Sequence, residues 1–348
     1  MRVSIVIAAH NEGDALSRTV QSCVETCPGL DYEIVIADDA SQDGSIEDVS
    51  ARFSNARIVR HEDRQGASPT KALGAGHARG DALVFLDGHT KPEPGAIARL
   101  VQDLKEVGGD SIVTPSISDL DVTRWTNRSS QSGHGYFLDL ESFDCGWLSL
   151  EALTPVRVGP KTFYESPALI GCALAIRRQF YDKLWGFDRQ MRIWGVEDLD
   201  FGLKCWLLGG RILHDPEAAV GHRFRESFDN YSVPIEHVLA NQLRMARKNF
   251  THSVWVEWAQ RCRQRHPYGL ADHPEGLWTR AWQIFEQGQP SLEHERAYVQ
   301  GHRTRDEFWY AERFGLAWPR LESTAIDARK AEFLAFAEPP KAVPSPGP

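Results

Sequence analysis

Residues 82–92 read ALVFLDGHTKP, a five-residue apolar run that ends in Asp87 and is followed two positions later by His89. An unbroken apolar run of that length is what a strand buried on both faces needs, and such strands belong to parallel sheets. Towards the N-terminus the pattern recurs. Val3 to Ala9 (VSIVIAA) is a β-branched run, Tyr32 to Ala37 (YEIVIA) ends in Asp38 and Asp39, and Ala56 to Arg60 is a shorter third run. Between them, Asn11 stands where it can cap a helix carrying Leu16, Val20, Cys23 and Val24 on one face, and Gly66 to Ala78 reads as a helix despite its Gly and Pro. This alternation predicts an α/β fold with a mostly parallel sheet flanked by helices. In such a sheet ligands sit at the carboxyl ends of the strands, where Asp38, Asp39 and Asp87 stand, so the first hundred or so residues read as a nucleotide-binding half.

Towards the C-terminus, Ser, Gly and aromatic residues fill the stretch from Ser116 to Pro167, which predicts irregular, acceptor-facing structure. Helical patterns return at Arg178 to Leu184 and at Asp198 to Leu208. The segment from Val238 to Trp318 holds six of the eleven tryptophans and reads as a helical elaboration. The final AEPPKAVPSPGP, residues 337–348, has nothing apolar to bury and reads as a disordered tail.

Composition excludes several classes. The 348 residues are 42% hydrophobic, ordinary for a chain with a sizeable core, and the net charge of -9 offers no basic field to nucleic acid. The start MRVSIVIAAHNE lacks the layout of a signal peptide and no run approaches the length of a transmembrane span, so a cytoplasmic protein, or one peripheral to a membrane, is expected. The six cysteines form no CxxC pair and are expected to be reduced.

Three constellations carry chemistry. Asp87 and His89 offer a carboxylate oxygen and an imidazole nitrogen, a pairing that suits Mn2+ or another divalent cation able to bridge the phosphates of a nucleotide sugar. Taken alone, Asp-Gly-His is also an ordinary turn followed by an exposed histidine. AVGHRFR, residues 219–225, adds His222 among Arg223 and Arg225, a third ligand beside guanidinium groups that can neutralise a departing diphosphate. IWGVEDLDFGLKCW, residues 193–206, sets Trp194 ahead of Glu197, Asp198 and Asp200 at the start of an amphipathic helix. Acids there are favoured by the helix dipole alone. An indole wall followed by two adjacent acids also fits a sugar ring and a carboxylate that handles hydroxyl groups.

In order, the segments SIVIAAHNE, IVIADDASQDGS, FLDGH, ALIGCALAIRR, GFDRQMRIWGVEDLDFGLKCW, GHRFR and NQLRMARKN resemble the GT-A glycosyltransferases. The likeness is greatest to the catalytic domain of the polypeptide N-acetylgalactosaminyltransferases and related family-2 enzymes. It implies a metal-dependent transfer of a hexose or N-acetylhexosamine from a UDP-sugar. It also implies a division into a nucleotide-sugar-binding half (1–115), an acceptor and catalytic half (116–237), a helical extension (238–330) and the tail (331–348). By resemblance, Asp38 and Asp39 lie near the uracil and ribose, and Asp87, His89 and His222 hold metal and diphosphate. Glu197 and Trp194 lie near the donor sugar, with Gly171 and Cys172 in the segment lining it. Arg225 contacts phosphate from a mobile loop, Arg223 to Ser232, with Tyr231 its aromatic neighbour.

Three departures limit the transfer. Asp198 stands where the N-acetylgalactosaminyl enzymes have Asn, at the position where inverting members place a general base. If the reaction inverts, Asp198 is the candidate base; if it retains, the acid only orients substrate. Cys172 replaces a glycine, which leaves the sugar open. No stretch reads as a membrane anchor or lectin repeat, so the acceptor stays open among saccharide, peptide and small molecule. The rival readings are a nucleotidyltransferase and a non-catalytic carbohydrate-binding protein. The first calls for a Gly-rich phosphate loop where this chain has AAHNEG; the second rests on the tryptophans and has no need of Asp87, His89 and His222.

Overall fold

The computed structural model describes residues 1–27, 29–225, 232–264 and 276–320. The apolar runs form strands where the sequence places them. β1 (Val3–Ala9), α1 (Asp14–Thr26), β2 (Tyr32–Asp38), α2 (Ser45–Arg52), β3 (Ala56–Arg60), α3 (Ala67–His77) and β4 (Ala82–Asp87) alternate along the first part of the chain. β1 pairs in parallel with β2 and with β4, and the register sets Ala9 opposite Asp38 and Ala8 opposite Asp87. Asp38 and Asp87 therefore leave the sheet at the same edge, on either side of β1.

The chain continues through β5 (Thr90–Pro92), α4 (Ala96–Glu106), β6 (Ser111–Asp121), β7 (Thr126–Gly133), β8 (Gly135–Leu138), β9 (Cys145–Leu148), β10 (Thr154–Val158) and β11 (Lys161–Glu165). Then come β12 (Ala173–Arg177), α5 (Arg178–Lys183), α6 (Glu197–Leu207) and β13 (Arg211–His222). The main sheet runs β10-β11-β13-β6-β12-β4-β1-β2-β3, with β5 on β13 and β7 on β6. Alternate residues of each strand serve opposite faces: Val6, Leu83 and Phe85 pack with α6, while Ile5, Ile7, Val84 and Leu86 pack with α1 and α4.

Two expectations need correction. The stretch from Ser116 to Pro167 is not irregular, since it holds the end of β6 and all of β7 to β11. These strands are short and partly exposed, as in β10, so they leave no continuous apolar run to read. Asn11 does not cap α1. The helix starts at Asp14 behind Gly13, and Asn11, itself at φ 50°, accepts a 2.8 Å bond from the Gln42 N–H and so ties the loop after β1 to the loop after β2.

Five further helices follow: α7 (Ile235–Asn249), α8 (His252–Gln264), α9 (Leu277–Gln287), α10 (Gln289–His302) and α11 (Glu307–Phe314). Trp255, Trp258 and Trp318 are buried in the same core cluster as Phe85, so these indoles pack the extension rather than offer a sugar platform. A buried ionic network locks α7 and α10 to α6. Lys248 lies 2.9 Å from Asp188, 2.8 Å from Asp200 and 3.2 Å from Glu295. Arg244 pairs with Asp188 at 3.0 Å and Lys204 with Glu295 at 2.8 Å. Three carboxylates face three cations, so no buried charge is left uncompensated. No helix among the described residues is long and apolar enough to cross a membrane; residues 331–348 lie outside the described residues.

α3 packs closely on the sheet because, Lys71 apart, its buried face is built of small residues. A Cβ on Gly74 would stand 2.5 Å from Val6 Cγ1 and 3.1 Å from Ala37 Cβ, whereas a Cβ on Gly76 in the same helix would meet nothing within 4 Å. Opposite signs follow for two identical substitutions. Gly74→Ala should lower stability by about 1–3 kcal/mol through overpacking, and Gly76→Ala should raise it by about 0.4–1 kcal/mol through the unfolded chain. Urea denaturation of both variants checks this; stabilisation by both would show that α3 has room to spare.

Candidate active site

The site forms at the carboxyl ends of β1, β2 and β4. Antiparallel pairing of β5 with β13 sets His222 opposite Thr90 and so carries it to the residue next in sequence, His89. His89 Nε2 and His222 Nε2 face each other at 3.1 Å, and Asp87 Oδ2 lies 3.6 Å from His222 Nε2. One ligand atom from each of the three residues lies within 4.8 Å of the others. Two ring nitrogens aimed at one point, beside a carboxylate oxygen, form a donor set suited to a divalent cation. Burial pushes the His222 imidazole down, against the opposing pull of Asp87, which favours the neutral form that ligates.

Two acidic and basic partners complete the cluster and escaped sequence reasoning. Glu12, buried, stands 2.9 Å from His89 Nδ1 through the same Oε2 that accepts a 2.6 Å bond from Arg225 Nη2. A carboxylate this close to Nδ1 favours the tautomer that carries its proton there and leaves the Nε2 lone pair for a ligand. Burial pushes the Glu12 carboxyl up, but His89 and Arg225 outweigh it and hold it below the usual range. Its signal was an acid just past the end of β1, analogous to Asp38 and Asp87.

Lys71 is the second. It is only 2% exposed, ion-pairs with Asp87 Oδ1 at 3.2 Å and donates to the Gly171 carbonyl at 3.0 Å. Burial alone would discharge it; Asp87, Glu197 and Asp198 reverse that and hold the ammonium charged. In turn, burial raises the Asp87 carboxyl, while Lys71, the His222 contact and His89 pull it well below the usual carboxylate range. A single lysine on a helix face of Ala, Ser, Thr and Gly is the readable sign of a buried, paired cation.

Asp38 and Asp39 are near this edge but engaged locally. Asp38 accepts from the Ser41 N–H at 3.0 Å and pairs with Arg60 at 3.1 Å; Asp39 accepts from the N–H groups of Gln65 (2.6 Å) and Gly66 (2.8 Å). α6 begins at Glu197, one residue before its expected start, and brings both acids towards Lys71. Glu197 Oε2 accepts from the Gly195 N–H at 3.1 Å, and Asp198 Oδ2 from the Gly171 N–H at 3.1 Å. Burial raises both carboxyls; for Glu197 the Asp198 charge adds to the rise, and Lys71 opposes it in each.

Cys172 is buried, and its carbonyl accepts from the Asp87 N–H at 3.1 Å, so its backbone meets the cluster while its side chain joins the core. Trp194 is exposed. So is Phe224, whose ring stands 4.6 Å from His222 and 5.8 Å from Trp147, an aromatic wall the sequence reading passed over. Tyr231, with residues 226–230 of the expected mobile loop, lies outside the described residues.

The chain matches the model of glycosyl transferase family 2 over residues 4–185 and that of the N-terminal domain of galactosyltransferase over 158–225. It is 32% identical to polypeptide N-acetylgalactosaminyltransferase 10 of Homo sapiens over 282 residues, 76% of this chain and 44% of that protein. To polypeptide N-acetylgalactosaminyltransferase 6 of Bos taurus it is 30% identical over 266 residues, 73% of this chain and 42% of that one. The match thus spans less than half the length of these relatives. Among solved structures, GalNAc-T7 with UDP, GalNAc and Mn2+ superposes with a TM-score of 0.69 at 24% identity, covering 90% of this chain and 57% of that chain. The TarS 1–349 complex of S. aureus with UDP-GlcNAc gives 0.56 at 16% identity over 92% and 93%. The fold is that of the GT-A glycosyltransferases.

Lys71→Met keeps the length of the side chain and removes the counter-charge of three acids. It should destabilise the fold by roughly 3 kcal/mol at neutral pH. Asp87, now held low by Lys71, would lose that depression, so its carboxylate would accept a proton sooner as the pH falls. The gap between variant and wild type should therefore narrow from pH 7 towards pH 4. A gap that stays constant in denaturant melts across that range would show that Lys71 does not carry this charge balance.

Proposed function

Because the chain belongs to glycosyl transferase family 2, we propose that it transfers a sugar from a UDP-sugar to an acceptor hydroxyl with the help of a divalent cation. One observation carries the reading: Asp87 at the end of β4, His89 in the turn after it, and His222, 133 residues beyond His89 at the end of β13, offer three ligand atoms within 4.8 Å of one another. One carboxylate oxygen and two imidazole nitrogens, with Glu12 fixing the tautomer of His89, fit Mn2+ or a cation like it. When bound, that cation supplies charge against the negative charge that grows on the departing diphosphate.

The chain's own residues do the rest. Arg225, held by Glu12 at 2.6 Å, stands beside the cluster with a guanidinium for the leaving phosphate. Lys71 keeps Asp87, Glu197 and Asp198 from repelling one another. The nucleoside is assigned to the edge beside Asp38 and Asp39, and the sugar, a hexose or N-acetylhexosamine, to the space between Trp194, Glu197 and the Gly171–Cys172 turn. Asp198 is the assigned base: its burial raises the affinity of the carboxylate for a proton, and the Gly171 and Leu199 N–H groups fix its direction. The acceptor is any saccharide, peptide or small-molecule hydroxyl that reaches that oxygen. A cytoplasmic location is supported by Cys23 and Cys27, which stay as buried thiols although only four positions apart.

His222→Ala should weaken Mn2+-dependent UDP binding by about 10-fold or more in calorimetry while leaving the melting temperature close to wild type; unchanged affinity would dismantle the three-ligand site. Asp198→Asn preserves shape and removes the basic oxygen. Turnover should fall about 100-fold or more with little change in donor affinity. Proton NMR of the product from a UDP-α-sugar should then show a β-linkage. An α-linked product, or near-normal turnover by the Asn variant, would leave Asp198 as an orienting group in a retaining reaction.

A further inference from the structure

The backbone that leads into Glu197 is strained. Ile193 (φ 64°), Gly195 (φ 105°) and Val196 (φ 60°) all occupy the left-handed region, and Ile193 and Val196 are the only β-branched residues there among the described residues. Branching at Cβ makes this region costly, so such a turn persists only where its surroundings over-determine it.

Two elements do so. On one side, the Ile193 N–H donates to the Gln65 carbonyl at 2.9 Å and its carbonyl accepts from the Ala67 N–H at 3.1 Å; Gly66 lies so close that a Cβ there would overlap the Ile193 backbone. On the other side stands α7. Asn241, 2% exposed, accepts from the Arg192 N–H at 3.0 Å through Oδ1. Its Nδ2 lies 2.9 Å from the Arg192 carbonyl, 3.1 Å from that of Trp194 and 3.3 Å from that of Gly195. Val238, one helical turn earlier, would touch a Cβ on Gly195 at 3.0 Å. α7 is itself pinned to α6 by Lys248 and Asn249, both bonded to Asp200 at 2.8 Å.

We propose that Asn241 is a positioning residue: its amide holds the main chain of Arg192 to Gly195 in the left-handed turn that aims Glu197 and Asp198 at Asp87 and Lys71. The proposal rests on the sugar-transfer reading of that site. Only a carboxamide of this length serves, because the turn presents both an N–H and carbonyls to it, and a carboxylate would lack the donors. Asn241 touches no reacting atom and acts through the segment it holds.

The test pairs Asn241→Ala with Asn241→Ser, whose hydroxyl can satisfy one buried backbone group but is too short to bridge Arg192, Trp194 and Gly195. Hydrogen exchange, Mn2+-dependent UDP affinity and turnover of a UDP-sugar are measured on the full chain. In Asn241→Ala, exchange across 192–198 should speed by about 10-fold with residues 84–89 unchanged, UDP affinity should hold within about twofold, and turnover should drop by about 10- to 100-fold. Asn241→Ser should melt closer to wild type than Asn241→Ala yet still lose turnover, a split that a merely structural role does not produce. If Asn241→Ala fails to fold, Asn241→Ser decides, and retained turnover overturns the proposal. Unchanged exchange in 192–198 overturns the clamp, and faster exchange with wild-type turnover overturns the positioning role. Wild-type protein that turns over no UDP-sugar while the variant still loosens there sinks the sugar-transfer reading, and with it the catalytic purpose of the clamp.

Discussion

A carboxylate at the end of a strand buried on both faces keeps its charge only if cations meet it there, and Asp87 imposes that condition on everything around it. Lys71 meets it from α3, which approaches closely enough only because Gly74 leaves no side chain against Val6 and Ala37. The same ammonium is fixed by the Gly171 carbonyl, and Gly171 in turn donates to Asp198. His222, in its neutral form, reaches Asp87 from the far end of β13 by way of the pairing with β5 and offers it a polar neighbour rather than a second charge. Helix spacing, strand register and a tight turn are thus consequences of one charge that must be matched.

α6 shares this balance with a second one. Its first turn gives Glu197 and Asp198 to the site, while Asp200 and Lys204, three and seven positions after Glu197, enter the buried network with Asp188, Lys248 and Glu295. Such a network contributes little net stability, but removing one member would leave a buried charge unpaired, so its contacts tie α6 to α7 and α10. In the sugar-transfer reading the helical extension is then part of the catalytic apparatus, since α7 carries both Lys248 and Asn241. Arg225, paired with Glu12 beside His89, places the start of the loop after β13 against the Asp87, His89 and His222 cluster.

What could be read from the sequence was what local pattern encodes. The β-branched runs of β1, β2 and β4 need no partner to be recognised, and the acids at their ends follow from where those runs stop. β7 to β11 were illegible because short, half-exposed strands earn their pairing from neighbours far along the chain. Asp87 and His89 stood together in one turn, and His222 was found by its arginines. Glu12, Lys71 and Asn241 were not, because a charged or polar side chain looks like any solvated one until the fold supplies its partner. Asn11 misled for a related reason: a good capping residue was drawn into a loop-to-loop bond instead.

The central claim is that Asp87, His89 and His222 hold a divalent cation at a UDP-sugar site. The most direct measurement is a crystal structure with UDP and Mn2+, with diffraction recorded on either side of the manganese absorption edge. The account predicts a single anomalous peak bonded to Asp87 Oδ2 and to the Nε2 atoms of His89 and His222, with the diphosphate of UDP on its open side. Diphosphate bound with no peak among these three residues, or a peak coordinated elsewhere, would contradict it.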